Sequence, residues 1–558
     1  MSAIIVSQLY AVVLSASLCW NGEVFATTTT TTRPNIVFIL VDDLGSHDVG
    51  YHGASVIQTP TLDRLAYGGV RLENYYSTPM CTPSRGSLMT GRYQVHAGLQ
   101  HRVLDVCQAN SLPKEIPTLA DMLRDAGYAT HMVGKWHLGY YAEDLLPTQR
   151  GFDSFFGFLN GIEHHYSHMH CRDGRALIEN SIQYSKIKKS NRYNSTNRLL
   201  EEYGNFWCGF DLRQNEDPVE NYSGQYSTHL YTQKATDVIR NHATKEAPKP
   251  LFLYLSYHAL HHPLEVPESY SKQYVSITDE NRRMYAGMTT CMDEGVMNIT
   301  SALEKYGLWN NTILIFSTDN GGDITYGSGN NWPLRGEKGT LWEGGIRVVT
   351  FVHSPLLGHR AGTVINGLIH VSDWFPTLVT LAGGDTTGLS LDGYDVWKTI
   401  AEGDPSPRKE ILHNIDPVAE RHGFLSNISK FDNRVLAALL VGNWKLITGY
   451  PGYKGRVNDW IAPPEDTHIQ SVYSTDREWK NIWLFDISSD PLEKTDLFET
   501  HPDIAVDLLN RLAEYQSTAI PARFPLYDLC CDPDLHNGFW SPWRQLRNEN
   551  HRNPNASC

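Results

Sequence analysis

"PNIVFILVDDLG", residues 34–45, joins an uninterrupted apolar run to two adjacent aspartates. Because Ile36–Val41 shows no polar alternation, it predicts a strand buried on both faces, as in a parallel sheet. Similar runs recur in "YATHMVGKWHLG" (128–139), "PLFLYLSYHALHHPLEVP" (250–267) and "NTILIFSTDNGG" (311–322), with helical patterns between them. The alternation predicts an α/β fold with a large, mostly parallel sheet flanked by helices.

Each of these four predicted strands is followed by groups that can bind a metal or an anion. They are Asp42 and Asp43 after the first, Lys135 and His137 after the second, His258, His261 and His262 after the third, and Asp319 and Asn320 after the fourth. Any one of these ends could be an ordinary turn. Ligands bind beyond the carboxyl ends of strands in open α/β sheets, so the four ends together predict a single site.

The oxygen-bearing members of this set predict a metal centre. Asp42, Asp43, Asp319 and Asn320 offer carboxylate and amide oxygens, which suit Ca²⁺ or Mg²⁺, whereas Zn²⁺ would normally recruit imidazole or thiolate. Carboxylates placed this close would also repel one another without a cation. Lys135, His137, a histidine near 261 and a further lysine could then surround a sulfate or phosphate ester.

The N-terminal region carries the pattern of a targeting segment. The apolar stretch "AIIVSQLYAVVLSASL" is followed by "VFA" at 24–26, which predicts a secretory signal peptide over residues 1–26. A buried or anchoring N-terminal helix is the alternative, because the first residues lack a positive charge. Residues 27–33 are predicted to form a Thr-rich tether, and no second stretch predicts a membrane span after signal removal.

Sequons and cysteines fit the secretory pathway. The predicted glycosylation sites are Asn194, Asn221, Asn298, Asn310, Asn427 and Asn555. Cys19 leaves with the signal, and Cys291 lies in an apolar helical pattern that predicts a buried free thiol. Setting Cys81 aside leaves an even set, in which Cys171 with Cys208, and Cys107 with Cys530 or Cys531, are candidate pairs; the sequence does not fix the connectivity.

The net charge limits the classes of partner. At −15, the chain does not attract nucleic acid or anionic membranes, so neither is predicted as a partner. A site for an anionic substrate must therefore supply its own local cations.

Several of these stretches resemble the sulfatases, a formylglycine-dependent family of the alkaline-phosphatase-like superfamily. "CTPSRGSLMTGR" resembles the first sulfatase signature and "GYATHMVGKWHLG" the second, while "RPNIVFILVDDLG" and "STDNGG" resemble the metal-binding segments, all in family order. The resemblance runs from about residue 33 to the 540s. "GVRLENYYSTPMCTPSRGSLMTGRYQVHAGLQH" is most similar to the arylsulfatase B, or N-acetylgalactosamine-4-sulfatase, group.

The resemblance implies a role for each matching residue. Cys81 would be converted to Cα-formylglycine by the formylglycine-generating enzyme, which reads the cysteine with Pro83 and Arg85 in the unfolded chain. The implied catalytic residues are Cys81 as formylglycine, Arg85, His137 and His261. The implied substrate-binding residues are Lys135, His261 and Lys338, and the implied Ca²⁺ ligands are Asp42, Asp43, formylglycine 81, Asp319 and Asn320.

The third strand departs from the family pattern. The family often carries His-x-Pro after this strand, and "HALHHP" keeps that spacing if His261 is the active histidine. We choose His261, with His262 as the alternative and His258 as a structural residue. Because a histidine in the site would be protonated in mild acid, we expect the highest activity there.

The remaining chain predicts a second, smaller unit. "RVLAALLVGNWKLITGY" indicates a hairpin with a Gly-Asn turn, and "DIAVDLLNRLAEYQ" indicates an amphipathic helix. We predict a catalytic α/β domain over 34–410, an antiparallel sheet with a covering helix over 411–545, and a tail over 546–558. Residues 163–225 show little periodicity and predict a long loop near the mouth of the site.

The predicted activity is hydrolysis of sulfate esters by a formylglycine hydrate on Ca²⁺. The resemblance to 4-sulfatases implies a sulfated amino sugar at the end of a glycosaminoglycan as substrate, and small aryl sulfates or sulfated plant metabolites such as glucosinolates are the alternative. A phosphate or phosphonate hydrolase is disfavoured by the cysteine signature, and a catalytically silent binding protein by the complete site. The destination is lysosomal or secreted.

Overall fold

A computed structural model describes residues 33–173, 176–177, 206–245 and 248–545. The predicted signal peptide, residues 27–32 of the tether, the tail, Cys558 and the sequons at Asn194 and Asn555 lie outside the described residues.

The strands are β1 (Asn35–Val41), β2 (Val70–Leu72), β3 (Tyr75–Tyr76), β4 (Ala129–Lys135), β5 (Ser154–Phe158), β6 (Met169–Asp173), β7 (Phe206–Phe210), β8 (Leu212–Gln214), β9 (Asp217–Pro218), β10 (Leu251–Ser256), β11 (Thr312–Thr318), β12 (Thr350–His353), β13 (Thr363–Ile365), β14 (Ile369–His370), β15 (Glu410–Asp416), β16 (Leu436–Val441), β17 (Trp444–Thr448) and β18 (Ile482–Asp486).

The helices are α1 (Pro60–Gly68), α2 (Cys81–Thr90), α3 (Leu119–Asp125), α4 (Ser227–Ala243), α5 (Glu268–Ser271), α6 (Glu280–Lys305), α7 (Ile324–Gly327), α8 (Glu343–Ile346), α9 (Trp374–Leu381), α10 (Trp397–Ala401) and α11 (Pro502–Thr518). Within the described part of the chain, none of them is both long and apolar enough to cross a membrane.

The central sheet confirms the predicted α/β architecture. Its strand order is β13-β2-β12-β11-β1-β10-β4-β5-β8-β9 in the described residues. The five strands β11, β1, β10, β4 and β5 are mutually parallel, whereas β12 and β8 pair antiparallel on the two sides. Every residue of β1 is buried, because helices cover both faces of the sheet at this strand.

The C-terminal part forms a separate antiparallel sheet, β15-β16-β17-β18. The predicted hairpin is β16 and β17, joined through Gly442 and Asn443. Leu508, Leu509 and Leu512 of α11 pack with one face of this sheet, as the amphipathic pattern predicts. The other face packs against Leu341, Trp342 and Ile346, which precede or belong to α8. The boundary between 410 and 411 stays a prediction.

One expectation from the sequence needs correction. The segment 163–225 is not simply a loop, because β6 and β7 form an antiparallel hairpin and β8 joins the central sheet. Helix α2 begins at Cys81 itself. Pro83 is compatible with that start, because the first turn of a helix has N–H groups without intrahelical partners.

The disulfides form within the predicted set. Cys171 pairs with Cys208 across the β6–β7 hairpin, and Cys107 pairs with Cys531, so Cys531 rather than Cys530 is its partner. Cys81 and Cys291 are buried free thiols.

Candidate active site

The four predicted strand ends meet at one edge of the sheet. β11, β1, β10 and β4 are consecutive and parallel, so their carboxyl ends converge. Asp42 and Asp43 follow β1, Lys135 ends β4, and Asp319 follows β11. All four side chains are buried.

Each carboxylate in the cluster is paired with a cationic side chain. Lys135 Nζ donates to Asp42, and Lys338 Nζ donates to Asp43 Oδ2 at 2.7 Å. Arg85 donates through Nε and Nη2 to Asp319 Oδ2 at 3.1 and 2.8 Å. These protein cations therefore offset the repulsion between the carboxylates that we inferred from the sequence. The repulsion alone does not require a metal.

The pKa values in this cluster follow burial and the neighbouring charges. Burial, reinforced by the other aspartates, raises the pKa of Asp43 and Asp319 from the ordinary range, although Lys338 and Arg85 act in the opposite direction. The pKa of Lys338 is raised well above its ordinary value, because the nearby carboxylates outweigh its own desolvation. Lys338 therefore remains a cation.

Arg85 is held in place by a residue that sequence reasoning missed. Its Nη1 donates to Ser256 Oγ at 2.5 Å and to the Lys135 carbonyl at 3.4 Å. Ser256 Oγ in turn donates to the Lys135 carbonyl at 2.8 Å. Ser256 ends β10, so this one hydroxyl links three elements of the site.

Cys81 lies at the centre of the cluster. Its Sγ donates to Asp42 Oδ1 at 3.4 Å, and the side chain is buried at the start of α2. Burial and the adjacent aspartates raise the pKa of the thiol well above its ordinary value. The unmodified cysteine is therefore a neutral thiol, which is a poor nucleophile.

His137 lies in the wall beside Cys81. Its Nε2 contacts the Leu104 carbonyl at 2.9 Å, which must accept, so Nε2 carries a proton. Nδ1 is buried and has no hydrogen-bond partner among the described residues. His137 (φ 54°) and Asp43 (φ 59°) both adopt left-handed backbone conformations, which non-glycine residues adopt mainly where a site constrains them.

The three histidines after β10 occupy different positions. His261 Nε2 lies 3.7 Å from Asp43 Oδ2, and its Nδ1 donates to the His262 carbonyl at 2.7 Å. His258 lies behind it, stacked on His165 with 4.4 Å between ring centroids. The structure thus brings His261 rather than His258 to the carboxylates, and it places His262 on the wall of the cavity.

The protonation of His261 differs from our expectation. Burial, Lys338 and the neighbouring histidines lower its pKa well below the ordinary value. The neutral ring, with its proton on Nδ1, presents a free Nε2 to the site. The expected advantage of mild acid is not supported by this residue.

A cavity of about 180 Å³ opens onto these groups. Its lining includes Cys81, His137, His261 and Lys338 from the predicted set, together with Asp105, His170, Arg172, His262, Asp323 and Arg456. A larger cavity of about 520 Å³ between α4 and α6 contains none of the predicted active-site residues. The smaller cavity is therefore the candidate active site.

The residues present fit a hard cation. Ligand atoms of Asp42, Asp43, Cys81 and His261 lie within 4.8 Å of one another. Asn320 Nδ2 donates to Asp43 Oδ1 at 2.7 Å, and Asn320 Oδ1 is buried and lacks a partner among the described residues. An unpartnered amide oxygen beside buried carboxylates is the donor chemistry that Ca²⁺ and Mg²⁺ take.

Cations and carboxylates beside a cavity at the carboxyl edge of a parallel sheet suit a hydrolase that acts on an anionic ester. The Sulfatase family model matches residues 34–384, and the chain belongs to the sulfatase family. It is a sulfuric ester hydrolase of the arylsulfatase type. The particular similarity to the arylsulfatase B group stays a prediction.

Curated relatives share most of the chain. Arylsulfatase J of Mus musculus is 46% identical over 536 residues, which are 94% of this chain and 82% of the relative. N-acetylgalactosamine-6-sulfatase of Rattus norvegicus is 31% identical over 532 residues, covering 91% and 90%. The solved structure of Ps i-CgsB in complex with k-i-k-neocarrahexaose has a TM-score of 0.67 at 27% identity, covering 89% of this chain and 95% of that one.

Proposed function

We propose that this sulfatase removes sulfate from sulfated amino sugars at the ends of glycosaminoglycan chains, using formylglycine formed from Cys81. The observation that carries the proposal is the position of Cys81, buried between the carboxylates and the cations Lys135 and Lys338 on the wall of a cavity. The reaction consumes water and yields inorganic sulfate and an alcohol.

Two groups complete this site in the proposal. Formylglycine 81 would supply an aldehyde hydrate, with one hydroxyl to attack sulfur and a second whose deprotonation releases sulfate. Ca²⁺, held by Asp42, Asp43, formylglycine 81, Asp319 and Asn320, would supply a positive charge that favours the ionised nucleophile and offsets the charge of the sulfate group.

The chain's own residues provide binding, orientation and proton transfer. Lys135 and Lys338 are the cations closest to Asp42 and Asp43, and they offset charge on the sulfonate oxygens. His137, with Nδ1 free, is the acceptor for a proton of the hydrate at residue 81. Arg85 is hydrogen-bonded to Asp319 and Ser256, and it holds these side chains in place relative to each other.

The leaving oxygen needs a proton donor. The candidates are His261 and Lys338. Neutral His261 donates its Nδ1 proton to the His262 carbonyl, so its Nε2 can only accept in this form. Lys338 carries protons that it can donate, so it is the remaining candidate for the acid, and its raised pKa makes it a weak one.

A saccharide substrate is supported by the names of the relatives. One relative is named for N-acetylgalactosamine and one solved relative for its neocarrahexaose complex. The lining combines charged side chains such as Asp323, Lys338 and Arg456 with an apolar side formed by Val103, Leu104, Val106 and Ile162, so the cavity accommodates either a sugar or an aryl group. Small aryl sulfates therefore remain the second candidate substrates.

Maturation follows from the same proposal. We propose cleavage after residue 26, conversion of Cys81 by the formylglycine-generating enzyme, and delivery to the lysosome or the exterior. Asn221, Asn298, Asn310 and Asn427 are exposed, as glycosylation requires. Asn194 and Asn555 stay proposals from sequence alone.

The test is a substrate panel on purified protein. We expect release of sulfate from N-acetylgalactosamine 4-sulfate and from 4-methylumbelliferyl sulfate, with the higher kcat/KM for the sugar. Mass spectrometry of the Leu72–Arg85 peptide shows whether the protein carries formylglycine. If it does and the protein hydrolyses neither substrate, the activity is refuted and a silent binding protein is favoured. Hydrolysis of only the aryl ester would transfer the proposal to small sulfates.

A further inference from the structure

Asp323 is an acidic residue on the cavity wall that the proposed mechanism does not use. It follows "STDNGG" and caps α7, with Oδ1 accepting from the Tyr326 N–H at 2.9 Å. The residue is 1% exposed, and it lines the same cavity as Cys81, His261 and Lys338.

The two carboxylate oxygens of Asp323 have different environments. Oδ1 also accepts from Arg456 Nη1 at 2.8 Å, whereas Oδ2 is buried and has no hydrogen-bond partner among the described residues. Leaving a buried carboxylate oxygen without a donor is costly. The Oδ2 atom is therefore available to a donor that enters the cavity.

Asp323 is an anion. Burial alone would raise its pKa, but Lys338 and Arg456 outweigh burial and lower the pKa below its ordinary value. An ionised carboxylate accepts hydrogen bonds and cannot donate one. It therefore attracts a hydroxyl or N–H group and repels a second anionic group.

Arg456 does not reverse this preference. Its Nη1 lies 2.8 Å from Asp323 Oδ1 and 3.8 Å from Glu337 Oε2, so it faces two carboxylates. The guanidinium orients Asp323 rather than forming a free anion site.

We propose that Asp323 determines specificity by accepting a hydrogen bond from a hydroxyl group that lies close to the sulfate ester in the sugar. The inference rests on the proposed function. Asp323 then selects sugar sulfates with a free hydroxyl next to the sulfate ester over analogues that lack this hydroxyl or carry a second sulfate in its place.

The test combines a variant with altered substrates. Wild type and Asp323→Asn are assayed with N-acetylgalactosamine 4-sulfate, its 3-deoxy and 6-deoxy analogues, and 4-methylumbelliferyl sulfate. In wild type, loss of one of the two hydroxyls should lower kcat/KM at least about 10-fold, the range expected when a buried charged acceptor loses its donor. In Asp323→Asn, removal of the same hydroxyl should lower kcat/KM by less than about 3-fold.

Asp105→Asn is the matched control. Asp105 lines the same cavity, but its oxygens already accept from Arg172, the Tyr527 hydroxyl and the Val106 N–H. This variant should retain the full 10-fold dependence on the hydroxyl.

The outcomes separate the inference from the activity. If wild type hydrolyses neither the sugar nor the aryl ester, the proposed function fails and the inference fails with it. If wild type is active and neither deoxy analogue lowers kcat/KM by more than about 3-fold, the inference alone is overturned. This comparison uses only the wild-type protein, so it does not depend on the folding of a variant. An equal hydroxyl effect in wild type and Asp323→Asn also overturns it.

Discussion

Replacing Ser256 by alanine tests whether Arg85 is held as the structure shows. Ser256 Oγ accepts from Arg85 Nη1 at 2.5 Å and donates to the Lys135 carbonyl at 2.8 Å, and the site is fully buried. Alanine removes both bonds and leaves Nη1 with the Lys135 carbonyl at 3.4 Å. A hydrogen bond to a buried charged group contributes roughly 1.5–3 kcal/mol, and a neutral one about 1 kcal/mol.

We therefore expect Ser256→Ala to lower the free energy of unfolding by about 2.5–4 kcal/mol. Ser317→Ala is the matched control, because Ser256 and Ser317 flank Leu40 at the same level of the sheet. Ser317 Oγ bonds to the Thr318 carbonyl at 3.1 Å and the Thr350 hydroxyl at 3.0 Å, which are neutral groups. Removal of these two neutral bonds should cost about 2 kcal/mol.

The assay is urea unfolding followed by tryptophan fluorescence, together with kcat/KM for the aryl sulfate. If Ser256 fixes Arg85, its variant should also lose roughly 10-fold in kcat/KM, about 1.4 kcal/mol in the barrier. Equal unfolding free energies for the two alanine variants would refute the role of Ser256.

Three further predictions follow from the site and from a buried acid. Cys81→Ser should fold but fail to turn over substrate, since serine cannot yield the hydrate; wild-type turnover of 4-methylumbelliferyl sulfate would contradict this. Dialysis against EGTA should abolish activity and added Ca²⁺ should restore it, whereas activity insensitive to chelators would argue against the metal. Burial raises the pKa of Asp211 to about 7, so the folded state keeps a proton that the unfolded chain releases near pH 4. That stabilisation is complete below about pH 4 and is lost as pH rises through about 7, at up to about 1.4 kcal/mol per pH unit. Urea unfolding between pH 5 and 8 should show this slope, and Asp211→Asn should flatten it; equal slopes would contradict the assignment.

The strand ends could be predicted because their pattern is local. An apolar run followed by acids or histidines identifies both the strand and the edge, and parallel pairing then brings Asp42, Lys135, His261 and Asp319 together. Ser256 could not be predicted in this way, because one serine in the run "LFLYLS" carries no sign of its contact with Arg85. The charge balance was missed for the same reason, since pairing of each acid with a cation depends on three-dimensional geometry.

The sequence around Asp323 gives only a weak indication of its position in the site, and the sequence around Arg456 gives none. Asp323 is the next acid after "DNGG", but Asp319 and Asn320 already account for that motif. Arg456 lies in a polar stretch between β17 and β18, far along the chain from every signature. Only the fold brings it to within 2.8 Å of Asp323.

The position of Arg456 shows that the stretch between β17 and β18 contributes to the candidate active site. The stretch between β17 and β18 is bonded to the loop that carries Lys338: Leu341 N–H donates to the Pro451 carbonyl at 2.6 Å, and Gly336 N–H donates to the Asp459 carbonyl at 3.0 Å. Glu337 adds a side-chain bond, because its Oε1 accepts from the Val457 N–H at 2.7 Å. Lys338 lies between these attachments. The C-terminal unit therefore holds the loop that carries Lys338, as well as supplying Arg456 to the cavity wall.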